Sequence, residues 1–114
     1  MKSIRGAIAV VDNNESSIIS SAKSLILSVM EENDITEEDV VFALFPVTQD
    51  LDQAFPAKAF RELGMVSVAA IDTVAPNIKN DLDGCIRILL TINNNKNDIK
   101  HVYLNDAKTL RPDR

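Results

Sequence analysis

Several residue types that carry common functions are scarce in this chain. It holds a single cysteine, which excludes an intramolecular disulfide and a cysteine-based zinc site. Positive charge is also limited. Twelve Lys and Arg stand against 17 Asp and Glu, a formal net charge of −5, and there is no basic run, so nucleic acid is not an expected partner. No apolar stretch approaches the roughly 18 residues of a membrane span, so no membrane partner is expected either. The N-terminus enters Ile4-Arg5-Gly6 without a signal-peptide pattern, and a cytoplasmic protein is expected. Internal repeats and low-complexity segments are absent.

What is present suffices for one core. The hydrophobic fraction is 46%, and 114 residues leave room for a single domain, 1–114. A chain of this size buries a modest share of its surface, so oligomerisation is expected before any motif is considered.

The run Gly84-Cys85-Ile86-Arg87-Ile88-Leu89-Leu90-Thr91-Ile92 reads as a buried strand, closed by the turn cluster Asn93-Asn94-Asn95. Arg87 sits in its middle, with no acidic residue inside the run. Alternation places it on the face of Cys85 and Leu89, opposite Ile86, Ile88 and Leu90. A guanidinium there requires a negative partner, because burying it unpaired is costly. The partner is either a carboxylate from elsewhere in the protein or a ligand. The segment Ile4-Arg5-Gly6-Ala7-Ile8-Ala9-Val10-Val11 repeats the pattern, an apolar strand with one arginine. Two strand-borne arginines in an acidic protein point to an anion site on rigid elements, with internal salt bridges as the other reading. Arginine serves both, since its planar fork binds carboxylate oxygens in pairs and keeps its charge.

Taken in order, 3–11 is the first strand, ended by Asp12-Asn13-Asn14. A helix over 15–32 follows, with Ile18, Ala22, Leu25, Ile26 and Val29 forming one stripe and Glu15 at its positive end. Thr36 caps one short turn. The apolar run 40–47 is the second strand. Pro56 opens a short helix and Gly64 stops it, with Lys58 and Arg61 on one helical face. The third strand is expected over 65–71, a polar loop over 72–83, the central strand over 84–92, a pairing segment over 99–104 and a short last strand over 107–110. The order β-α-β-α-β-β predicts an α+β fold with helices on one side of a mixed sheet. Cys85 reads as a small core residue.

Across nearly the whole chain the motifs fall in a specific order. They are Ile4-Arg5-Gly6-Ala7, then Asp50-Leu51-Asp52-Gln53-Ala54-Phe55-Pro56-Ala57-Lys58-Ala59 with Arg61, then Cys85-Ile86-Arg87. His101-Val102-Tyr103-Leu104 and Leu110-Arg111-Pro112-Asp113 complete the set. Together they resemble the AroH class of chorismate mutases, the trimeric family known from Bacillus.

The resemblance implies a homotrimer whose sheets form a pseudo-α/β-barrel, with active sites between subunits. It implies the cofactor-free Claisen rearrangement of chorismate to prephenate, a step of phenylalanine and tyrosine biosynthesis. By motif position, Arg87 looks like the cation on the breaking ether oxygen, and Arg5 and Tyr103 like the clamp on the pyruvyl side. From the adjacent subunit, Phe55 and Ala57 would form a wall, with Lys58 and Arg61 adding positive potential. Ala70 and Ile71 would line the cleft, and Leu110 and Arg111 its mouth. His101 reads as structural, and no metal site or nucleophile–base pair is evident.

The chain departs from the family at one point. Members usually carry a cysteine and, three residues later, a glutamate expected to bind the ring hydroxyl. Those positions fall on Asp72 and Ala75 here. Asp72 is therefore the expected substitute, able to orient Arg87 and accept the hydroxyl. The competing reading is a weakened relative that binds a small dicarboxylate or regulates a partner.

Overall fold

The computed structural model describes residues 1–95, 98–105 and 107. The elements run β1 (Lys2–Ile8), α1 (Glu15–Glu32), a 3₁₀ turn (Glu37–Asp39), β2 (Val40–Val47), α2 (Lys58–Glu62), β3 (Ala69–Val74), β4 (Ile86–Ile92) and β5 (Val102–Leu104). The five strands form one mixed sheet in the order β3-β2-β4-β1-β5. β4 runs antiparallel to β1 and β2, whereas β3 and β5 extend the sheet by parallel pairing. The apolar run around Arg87 is thus the middle strand, flanked on both sides.

α1 forms where its periodicity predicts. Asn14 caps it, its side chain accepting from the Ser17 amide at 2.7 Å, and Ile18, Ile19, Ala22, Leu25, Ile26, Val29 and Met30 are buried. At its far end Asp34 takes a left-handed φ of 51°, and the amides of Asp34 and Ile35 bond back to Glu31 and Met30. α2 ends the same way. Gly64 has φ 82°, its amide donates to Arg61, and the Met65 amide donates to Phe60. The buried faces of both helices share one core with Ile4, Ile8, Ala43, Phe45, Val47, Ile86, Ile88, Leu90, Ile92 and Val102. Both helices therefore cover one face of the sheet, as expected. Among the described residues no helix is long and apolar enough to cross a membrane.

Several strand boundaries differ from expectation. β1 stops at Ile8 because Val10 turns with φ 58°, and β4 starts at Ile86 because Gly84 turns with φ 58°. β3 begins at Ala69, later than the expected 65–71. Residues after Gly64 are occupied in closing α2, the Val68 amide bonds to Met65, and Glu37 holds the Ser67 amide and hydroxyl. Asp72 consequently lies inside a strand and not in a loop. β5 is shorter than 99–104, because Asn33 holds the amide and carbonyl of Lys100. Of the expected last strand, Ala107 is buried with Ala7, Ala9 and Cys85 in a small second cluster on the other face. Residues 108–110 lie outside the described residues.

Candidate active site

The open face of the sheet, away from the helices, collects the arginines. Ile86, Ile88 and Leu90 enter the main core, so alternation turns Arg87 and Leu89 to the opposite side. The register sets Ala7 against Arg87 on β4 and against Tyr103 on β5. Arg87 and Tyr103 therefore flank Ala7, two strand spacings or roughly 10 Å apart. Arg5 lies two residues along β1 on the same face, opposite Leu89. On β2, the pairing of Leu44 with Leu89 and Val47 with Ile86 brings Pro46 alongside Arg87. These side chains surround a cavity of about 390 Å³, lined also by Gly6 and Asp81. The small Ala7 leaves its floor low between the larger groups.

Its electrostatics are uneven. Arg87 Nη2 stands 3.4 Å from Asp81 Oδ2, with the two side chains 29% and 34% exposed. The other Asp81 oxygen accepts from the Leu82 amide at 2.8 Å. Among the described residues Arg5 has no ion-pair partner, although its amide donates to His101 Nδ1 at 2.9 Å. That bond gives His101 the structural role expected of it. Beneath Arg87, Cys85 is fully buried, and burial pushes its thiol pKa up while the nearby guanidinium opposes the shift.

A second cavity, of about 620 Å³, lies at the start of α2 and the end of β3. Phe55, Lys58 and Asp72 line it, and it shares no lining residue with the first. Phe55 is 73% exposed, and Lys58 lies 3.9 Å from Glu62, which bonds Lys23 more closely at 3.0 Å. Ala57 is half-buried against the main core, and Arg61 is exposed and lines neither cavity. Ala70 also packs on the main core, whereas Ile71 faces outward, 60% exposed.

Within one chain the structure does not bring Asp72 to Arg87. Asp72 pairs with Phe45, a main-core residue, so its side chain points to the helix face while Arg87 points to the open one. Its Oδ1 accepts from the Ala57 amide at 3.0 Å. Burial raises its pKa, with that amide bond opposing. Ala75 is also committed to the fold, being 1% exposed with its amide bonded to Val47 O at 2.9 Å. The carboxylate that meets Arg87 is Asp81, which sequence reasoning passed over as part of a polar loop. Its signal was faint: an aspartate six residues ahead of the arginine, just before the strand. Leu110 and Arg111 lie outside the described residues. Among the described residues, no three His, Cys, Asp or Glu gather as a metal-ligand group.

The family model described as chorismate mutase type I matches residues 1–114. The chain is 38% identical to a chorismate mutase AroH of Bacillus subtilis over 116 residues, covering 99% of this chain and 91% of the relative. It is 35% identical to a chorismate mutase AroH of Thermus thermophilus, covering 99% and 95%. A solved chorismate mutase from Clostridium thermocellum superposes with a TM-score of 0.92 at 39% identity, covering 96% of this chain and 99% of that one. With one sheet face covered by helices, the other bearing the arginines, and matches that span its whole length, the chain belongs to the chorismate mutase type I family.

Proposed function

We propose that this chorismate mutase rearranges chorismate to prephenate in the open-face cavity that holds Arg5, Arg87 and Tyr103. The observation that carries the reading is the convergence of two guanidiniums and a phenol on one rigid sheet face. Chorismate has two carboxylates, and its transition state gains negative charge at the breaking ether oxygen. Arg87, aimed there from the middle strand, stabilises the transition state more than the ground state. Arg5 and Tyr103 hold the pyruvyl side, which keeps the flexible arm over the ring and supplies an orientational contribution. The reaction needs neither cofactor nor covalent intermediate.

The site is completed by a neighbouring subunit in a homotrimer. Supporting this is the division of the expected residues between two cavities of one chain, one with Arg5, Arg87 and Tyr103 and the other with Phe55, Lys58 and Asp72. Exposed apolar side chains near the second cavity, Phe55, Ile71 and Val74, also call for cover. In the assembly Phe55 and Ala57 form the wall, Lys58 and Arg61 add positive potential, Asp72, Ala70 and Ile71 line the cleft, and Leu110 and Arg111 stand at its mouth.

The test is loss of chorismate absorbance with purified protein. Arg87→Ala should lower kcat by about 10²–10³, the usual effect of removing one preorganised oxyanion donor. Its unfolding midpoint should stay near that of the wild type, because Arg87 lies outside the main core. Near-normal turnover in this variant would sink the assignment. A wild type that binds chorismate without converting it would support the dicarboxylate-binding alternative.

A further inference from the structure

We infer that Asp81 is the acidic residue that orients Arg87 of its own chain and accepts a hydrogen bond from the ring hydroxyl of chorismate. The inference rests on the functional reading above. A cavity built for a substrate with two carboxylates has a protein carboxylate inside it, 3.4 Å from the arginine aimed at the reacting oxygen. Left unmatched, that carboxylate would repel the substrate.

The substrate offers one group that Asp81 can accept. Chorismate's carboxylates and ether oxygen are acceptors, and its ring hydroxyl is its only hydrogen-bond donor. A fixed carboxylate beside Arg87 is therefore satisfied in only one substrate orientation, with the hydroxyl toward Asp81 and the carboxylates toward the cations. Local structure holds it for that role. One oxygen is tied to the Leu82 amide, the Asp81 amide bonds to Ile78 O at 3.2 Å, and Asn80 turns the chain with φ 68°. The second oxygen is left directed at Arg87. Neither other candidate can act from within the same chain. Ala75 has no acceptor side chain and is buried, and Asp72 lies on the opposite sheet face, bonded to Ala57.

The test compares chorismate with an analogue lacking the ring hydroxyl, using wild type, Asp81→Asn and Asp81→Glu. Asn keeps the acceptor for the Leu82 amide and so preserves the loop. Asp81→Asn should cut kcat/KM for chorismate at least tenfold, with Glu recovering part of the loss. Affinities measured by titration calorimetry should show that wild type discriminates against the deoxy analogue and that Asp81→Asn discriminates at least fivefold less. Equal discrimination by both proteins overturns the hydroxyl contact. Faster turnover in Asp81→Asn also overturns the proposal, because Asp81 would then only mask Arg87. If wild type fails to convert chorismate, the catalytic reading falls, and the calorimetric comparison still decides what Asp81 binds.

Discussion

Replacing Gly6 with alanine would probe how tightly the cavity floor is held between helix and sheet. Gly6 is buried in β1 beside Arg5, and a Cβ built there lies 3.1 Å from Ile88 Cγ2, from Val102 O and from Val29 Cγ2. The first two belong to the flanking strands and the third to α1, so the new methyl is crowded from three sides. Favourable carbon contacts lie near 3.5–4.0 Å, and each neighbour would have to retreat by a few tenths of an ångström. Overpacking of this kind costs about 1–3 kcal/mol. Against it stands a gain of about 0.4–1 kcal/mol from stiffening the unfolded chain, since Gly6 does not need a positive φ. The crowding wins, leaving a net loss of about 1–2 kcal/mol. For a domain of this size the melting temperature should fall by roughly 4–12 °C at fixed protein concentration. The cause can be isolated with Val29→Ala, which removes one of the three contacts. In a four-variant cycle followed by circular dichroism, the double variant should be about 1 kcal/mol more stable than the sum of the single losses. A Gly6→Ala protein as stable as wild type, or strict additivity with Val29→Ala, refutes the packing argument. Because the strand shifts under Arg5, KM for chorismate should also rise.

Three further outcomes are expected. Arg87→Ala subunits co-assembled with Phe55→Ala subunits should regain part of the wild-type turnover, because some mixed clefts are intact; inactive verified mixed trimers would count against shared sites. Asp72 has its pKa raised by burial above the ordinary 3.8, so its charged form weighs against the fold above that window and not below it. Asp72→Asn should therefore melt higher than wild type at pH 7, with the gap closing as the pH falls below 3.8; a gap independent of pH would contradict this. Buried Asn33 donates to Val29 O and Lys100 O and accepts from the Lys100 amide, so Asn33→Ala should cost about 1–3 kcal/mol. Since Lys100 leads into the strand of Tyr103, KM should rise more than kcat falls, and an unchanged denaturation midpoint would exclude the clamp.

Much of the architecture was legible because it depends on local chemistry. The stripe Ile18, Ala22, Leu25, Ile26 and Val29 is a 3.6-residue pattern within one segment, and Gly64 marks a helix end through its own backbone geometry. Arg87 could be assigned to a face because alternation in a strand is also local. The motifs that resemble the family were visible for the same reason, as short runs in a fixed order.

Tertiary structure alone decided how those pieces meet. That Ala7 separates Arg87 from Tyr103 is a matter of register across three strands, and no short-range pattern specifies which residues of distant strands stand opposite one another. The start of β3 depended on how α2 closes and on the capture of Ser67 by Glu37, so the expected boundary came too early. Pairing with Phe45 then turned Asp72 toward the helices, on the face opposite Arg87. Asp81 lies only six residues from Arg87, yet it reaches the guanidinium through a loop bent at Asn80 and Gly84. A strand or helix repeats its geometry and so announces its faces in the sequence. A loop does not, and the direction of its carboxylate is settled only when the chain on either side is anchored to the sheet.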